Sequence, residues 1–369
     1  MASVLEVERL VKRFPAPGGG RSWIQAVSDV SFELKKGETL GLVGESGSGK
    51  TTVGRCLLRL VDPTSGRILF QGGDIARMSA RRFRPLRAKI QMVFQEPHES
   101  LDPRMTIADA IGEPLRLMNH MSRAQQIKRI VEAARVVYLQ DKELAKYPHE
   151  LSGGQVQRAG IARAMATEPE VIVLDEPTSL LDASVRADIT ELLVDLQRKT
   201  DVTYLFISHD LTTVEHISHR VAVMYLGKVV EIGSTKQIFE TPRHPYSRSL
   251  LSSVLIPDPT REHTPAPLVG EIPSPINLPT GCSLHKRCPI AIDACSGVTP
   301  QLVDVGNRHF VSCIRVAPLP SQIVQSRQLV AWKGPRGFAR VEEDSAIGLS
   351  GQIDVLSSPT SQSKDGDLG

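Results

Sequence analysis

Residues 44–51 read Gly44-Glu45-Ser46-Gly47-Ser48-Gly49-Lys50-Thr51, the pattern G-x-x-x-x-G-K-[ST] in full. Glycines at these positions let backbone N–H groups converge on phosphate oxygens. The strand-like TLGLV precedes the run and the helix-like TVGRCLLRL follows it, so a helix N-terminus adds its positive end. Lys50 would reach the β and γ phosphates, the Thr51 hydroxyl would ligate Mg²⁺, and Thr52 continues the same turn. A chance glycine-rich turn lacks such flanks. Four apolar residues, Val171 to Leu174, then end in Asp175 and Glu176. Asp175 would hold Mg²⁺ through a water, and Glu176 would orient the attacking water as general base. Hydrolysis of a nucleoside triphosphate is the chemistry these types and spacings predict.

A second anion site is legible in Ser152-Gly153-Gly154-Gln155, where a Ser-Gly-Gly turn opens the helix-like QVQRAGIARAMA. Two phosphate sites in one chain make sense if they serve different nucleotides. Four cysteines, Cys282, Cys288, Cys295 and Cys313, cluster far from these motifs with five, six and seventeen residues between them. Four thiolates can ligate Zn²⁺ or a [4Fe–4S] cluster. No C-x₂₋₄-C pair occurs, as zinc sites usually have, and Pro289 follows Cys288 as proline often follows a cluster-binding cysteine. Four reduced structural thiols are the plain alternative. Cys56, on the apolar face after the phosphate loop, reads as core.

These groups need a scaffold. Residues 1–240 read as an α/β unit, with strands at Thr39–Val43, Ile90–Phe94, Val171–Leu174 and Thr203–Ile207. Residues 96–150 lack strand-like runs and read as a helical insertion, helical at Met105–Met118 and Ser122–Tyr138. Nine prolines make 241–280 an extended connector. That connector predicts a nucleotide site indifferent to the cysteine segment, residues 281–316. Ser, Gln, Gly and Asp dominate 317–369, which reads as a disordered tail. With 369 residues, 41% apolar and 23% charged, the chain can bury a core. A formal charge of +3 argues against a dedicated nucleic-acid binder. No apolar run reaches 18 residues, and MASVLEVERLVKRF is no signal peptide, so the chain is expected on the cytosolic side unless a partner carries it to a membrane.

Leu151-Ser152-Gly153-Gly154-Gln155 resembles the signature sequence of ABC-type ATPases. The resemblance implies a P-loop nucleotide-binding domain with a helical insertion. It also implies a head-to-tail dimer in which Ser152–Gln155 of one chain covers the γ-phosphate held by the other. On the same grounds Gln95 resembles the Q-loop glutamine, a sensor of γ-phosphate or Mg²⁺, and His209 in FISHD resembles the switch histidine. Ser179-Leu180-Leu181-Asp182 resembles the D-loop, with Leu180 where alanine is usual and Asp182 in place. Phe14 fits the adenine-stacking aromatic, with Trp23 as the alternative. There is one phosphate loop and no fused span. YLFISHDLTTVEHISHRVAVMYLGKVVEIG, QEPHESLDPRMT and ETPRHPYSRSLL resemble the ATPases of bacterial oligopeptide/dipeptide importers. That subfamily implies a C-terminal extension with an iron–sulfur cluster, zinc being the alternative. It implies a sister ATPase or a second copy, two membrane permeases and an extracytoplasmic solute-binding protein, at the cytoplasmic face of the inner membrane. Import of peptides or a related small solute is the expected activity; a soluble non-transport ATPase or regulator is the alternative.

Overall fold

The structure is a computed structural model. It describes residues 3–17, 22–117, 121–253, 268–316, 330–332 and 338–340. Alternation of apolar side chains makes the first two strands, β1 (Ser3–Pro15) and β2 (Trp23–Lys35), antiparallel partners that bury Leu5, Val7, Val30, Phe32 and Leu34. β3 (Thr39–Val43) is buried at all five residues, as a strand covered on both faces must be. It runs through the phosphate loop into α1 (Lys50–Leu57), whose Cys56 is wholly buried in the core. β4 (Ser65–Phe70) and β5 (Gly73–Asp74) complete a four-stranded sheet in the order β2-β1-β4-β5. A short α2 (Ala80–Phe83) leads into β6 (Ile90–Val93).

Helices follow: α3 (Pro97–Ser100), α4 (Ile107–Leu117), α5 (Arg123–Val136), α6 (Asp141–Leu144) and α7 (Gly153–Met165). α7 packs on both α4 and α5, so the helical run extends past residue 150. Ile111, Leu115, Ala134, Val156 and Ala159 share one core there. The remaining elements are β7 (Val171–Asp175), α8 (Ala183–Thr200), β8 (Thr203–Ile207), α9 (Leu211–Ile217), β9 (Arg220–Tyr225), β10 (Lys228–Ser234) and α10 (Thr235–Glu240). Beyond them come α11 (Pro245–Ser252), α12 (Ala294–Gly297), β11 (Val303–Asp304) and β12 (Phe310–Val311).

The second sheet runs β11-β12-β10-β9-β3-β8-β7-β6. β3, β6, β7, β8 and β9 are parallel, with Val43 opposite Val223, Val93 opposite Leu174 and Asp175 opposite Ile207. Their carboxyl ends therefore share one edge, where open α/β sheets bind ligands.

Two expectations are corrected beyond residue 240. The 241–280 segment is not simply an extended connector, because it opens with α11. Proline is tolerated at the first helical position, which Pro245 occupies, and His244 caps the helix by accepting the Tyr246 N–H at 3.1 Å. Nor does the cysteine segment stand apart, since β12 pairs with β10 and extends the main sheet. A fully buried carboxylate on β10 holds the join. Glu231 accepts the backbone N–H of Arg243 at 2.6 Å and of His244 at 2.9 Å, and His309 Nε2 lies 2.7 Å from it. The expectation of a disordered tail falls outside the described residues, apart from an antiparallel pair, β13 (Val330–Trp332) with β14 (Phe338–Arg340).

Candidate active site

The phosphate loop closes against its neighbours so tightly that two positions exclude a side chain. A Cβ at Gly44 would lie 2.1 Å from the Met224 carbonyl oxygen, and one at Gly49 2.1 Å from that of Ala26. Both glycines also have positive φ, +150° and +101°. Ser46 and Gly47 lie at the exposed mouth, while Ser48 is buried. The Lys50 ammonium is buried and folds over its own loop, donating to the Gly44 carbonyl at 2.8 Å and the Glu45 carbonyl at 3.0 Å. Burial pulls its pKa down, opposed by the carboxylates of Glu176, Asp175 and Glu45. A buried ammonium that meets only neutral oxygens, the two carbonyls and the Ser48 hydroxyl at 3.5 Å, is poised for an anionic ligand.

Thr51, on α1, and Asp175, at the end of β7, meet. The Thr51 hydroxyl donates to Asp175 Oδ1 at 2.9 Å. Burial raises the Asp175 pKa, with the Thr51 hydrogen bond opposing. Hydroxyl and carboxylate oxygens are hard donors and suit Mg²⁺ completed by water and phosphate. Thr52 lies half-buried on the first turn of α1.

Three strand ends converge on one carboxylate. Glu176 has φ +47°, rare for a residue with a Cβ, and its N–H donates to the Ile207 carbonyl at 2.9 Å. Its Oε2 accepts the Gln95 amide at 3.2 Å and lies 3.2 Å from His209 Nδ1. Gln95 follows β6, Glu176 follows β7 and His209 follows β8. The left-handed turn sets this carboxylate between an amide donor and an imidazole.

Ser152 and Gln155 do something else within the chain. The Ser152 hydroxyl accepts the Gln155 N–H at 3.4 Å while the Gln155 side chain accepts the Ser152 N–H at 2.9 Å, a capping box at the start of α7. Gly154 abuts α8, where a Cβ would come 2.6 Å from Val185. Asp182 caps α8 by accepting the Val185 N–H at 3.0 Å, and Leu180 is exposed. Among the described residues no hydrogen bond or ion pair joins Ser152, Gly153, Gly154 or Gln155 to Lys50 or Glu176. Phe14 and Trp23 share the β1–β2 hairpin. Lys12 Nζ sits 4.8 Å from the Phe14 ring centre, and Trp23 is half exposed.

Two residues from beyond 240 reach this site; Tyr246 lies within ETPRHPYSRSLL, but no pattern assigned it or Arg287 to the phosphate loop. The Glu45 N–H donates to Tyr246 Oη at 2.8 Å, and Arg287 Nη1 lies 3.4 Å from Glu45 Oε2. The expected separation of nucleotide site and cysteine segment is thereby overturned. Cys282, Cys288, Cys295 and Cys313 line one small cavity together with His244 and His285. All are free thiols. Burial pushes Cys288 up to about 12 and Cys313 up to about 11, and raises Cys282 as well. Among the described residues no three His, Cys, Asp or Glu side chains gather as they do round one ion. No helix among the described residues is long and apolar enough to cross a membrane.

Most of the chain resembles known proteins. Residues 27–179 match the family model described as ABC transporter, and residues 230–295 match the one described as oligopeptide/dipeptide transporter, C-terminal region. The chain is 45% identical over 341 residues to the probable peptide ABC transporter ATP-binding protein y4tS of Sinorhizobium fredii, covering 90% of this chain and 96% of that one. It is also 45% identical to the oligopeptide transport ATP-binding protein AppF of Bacillus subtilis, covering 84% and 97%. Among solved structures, the dimeric ATP-binding cassette MJ0796 bound to ADP and Pi aligns with a TM-score of 0.57 at 28% identity, covering 63% of this chain and 98% of that one.

Proposed function

This chain belongs to the ABC transporter family, and from that premise we propose that it is the ATP-hydrolysing subunit that energises import of peptides through a membrane transporter. The convergence of Gln95, Glu176 and His209 beside Lys50, Thr51 and Asp175 carries the reading. ATP would lie with its β and γ phosphates on Lys50 and the 44–51 loop, and Thr51, Asp175 and Gln95 would hold Mg²⁺, which would neutralise the phosphate charge. Glu176 takes the proton of the attacking water while His209 and Gln95 orient it and sense the γ-phosphate. The adenine stacks on Phe14 or Trp23 of the β1–β2 hairpin.

The site is completed by a second chain. Ser152, Gly153, Gly154 and Gln155 stand at a helix N-terminus with no link to the chain's own Lys50, which supports their use on a partner's γ-phosphate. Asp182 caps a helix beside that turn. The relative MJ0796 has been described as a dimer. A second copy of this chain or a sister ATPase is the partner we propose, together with two permeases and an extracytoplasmic solute-binding protein. A groove of about 900 Å³, lined by Arg81, Arg84, Arg87, Gln91, Pro114 and Leu117, lies between residues 80–91 and α4. It supports docking of a permease against α4, at the cytoplasmic face of the membrane.

The four cysteines around one cavity fit a [4Fe–4S] cluster, held by Cys282, Cys288, Cys295 and Cys313. Zinc, held by the same four thiolates, is the alternative. The cluster would add a cross-link to a segment of about 35 residues.

Purification of the chain with its co-eluting subunits, followed by ATP-driven peptide uptake into proteoliposomes, tests the function. Uptake that depends on the intact Glu176 is expected. ATP hydrolysis with no membrane subunit bound and no uptake would instead mark a soluble ATPase.

A further inference from the structure

We propose that the cysteine-bearing extension is a working part of the nucleotide site: Arg287 and Tyr246 clamp Glu45 of the phosphate loop and so set the affinity for the triphosphate. Arg287 is a positioning residue in this scheme, acting through Glu45. The inference rests on residues 44–51 being the triphosphate cradle.

Glu45 is gripped at three points. Its N–H donates to Tyr246 Oη at 2.8 Å, its carbonyl accepts from Lys50 Nζ at 3.0 Å, and its carboxylate pairs with Arg287 at 3.4 Å. The first and third grips come from the extension, on α11 and on the turn before Cys288. Arg287 is itself braced. Its guanidinium donates to Tyr225 Oη at 3.3 Å and lies 5.8 Å from that ring's centre, and the Tyr225 and Tyr246 rings are 4.6 Å apart. The Arg287 N–H donates to the Leu284 carbonyl at 2.8 Å, and its carbonyl accepts the Val269 N–H at 3.2 Å. Arg287 is nearly buried and Glu45 more than two-thirds so, which removes most solvent screening from the pair.

Two physical effects follow. A loop pinned in advance loses less freedom when phosphate arrives. A Glu45 carboxylate neutralised by Arg287 also presents no free negative charge to an incoming triphosphate, whereas an unpaired one repels it. Only one peptide bond separates Arg287 from Cys288, so whatever orders the four-cysteine cavity also orders the clamp.

Titration of the full-length protein with a fluorescent ATP analogue and Mg²⁺ tests this. Arg287→Ala should weaken binding about tenfold, the scale of one partly buried charge contact. In a Glu45→Gln background the same change should cost less than about twofold, because coupled residues are not additive. Arg287→Lys, which keeps the charge, should restore most of the affinity. An equal loss in both backgrounds would show that Arg287 acts by general stability and overturn the clamp. Should Arg287→Ala not fold, Tyr246→Phe keeps the ring and removes only the acceptor: a weakening of about threefold supports the clamp, and unchanged affinity overturns it. Lys50→Ala separates the two readings. If it weakens binding and Arg287→Ala does not, the clamp fails alone; if Lys50→Ala changes nothing, the cradle fails and takes the clamp with it.

Discussion

Glu176 carries the sharpest residue-scale consequence. Its carboxylate sits between the Gln95 amide and the His209 imidazole, each 3.2 Å away, on a left-handed backbone that few residues with a Cβ adopt. Replacing the carboxylate by an amide keeps that shape and removes the proposed base. Glu176→Gln should therefore bind ATP normally and turn over about 10²–10⁴-fold more slowly, the range for loss of a general base. Single-turnover hydrolysis alongside equilibrium binding measures both; undiminished turnover would transfer the role of base to another group.

At the scale of elements, the extension is joined to the sheet through polar groups buried in β10 and the cap of α11. Glu231 takes two backbone N–H bonds and the contact from His309. Glu231→Ala leaves these donors without a partner and should cost about 3 kcal/mol in urea unfolding. The same join gives a pH dependence. Burial pushes His244 down to about 4, and its Nδ1 must stay unprotonated to accept the Tyr246 N–H. Between pH 4 and an unfolded value near 6.5 the unfolded chain binds the extra proton, so stability is full above that window and falls as pH drops through it. The loss should approach about 3 kcal/mol, and His244→Asn should flatten the slope of unfolding free energy against pH. A slope that survives in His244→Asn would place the titrating group elsewhere.

For the whole molecule, catalysis and assembly are one question. Ser152 caps α7 and has no link to Lys50 in its own chain, so neither Ser152→Arg nor Lys50→Ala alone should support hydrolysis. Mixed, the two chains should recover about one good site per pair, because one supplies the intact loop and the other the intact turn. Full activity of a strict monomer would end the two-chain scheme. The cysteine cavity makes a second claim at this scale. Anaerobic protein should be brown with about four irons per chain, and any single change among Cys282, Cys288, Cys295 and Cys313 to serine should lose most of that iron. One zinc per chain in colourless protein would replace the cluster.

The sequence alone determined the chemistry that depends on local order. The phosphate loop, the apolar strand ending in Asp175 and Glu176, and the Ser-Gly-Gly turn are each contiguous, so residue types and spacing specify them without knowledge of what packs nearby. The fully buried strands β3, β7 and β8 were legible for the same reason, as unbroken apolar runs between turn signals. Proline content misled where position mattered more than number: Pro245 begins a helix because the first turn needs no N–H from it. Only the tertiary structure brought Gln95 and His209 onto one carboxylate oxygen of Glu176, through the parallel register of β6, β7 and β8. It alone set β12 beside β10 and Arg287 against Glu45, 242 positions away. No local pattern encodes such a contact, because it follows from how the sheet edge, the buried Glu231 and α11 fold the chain back on itself.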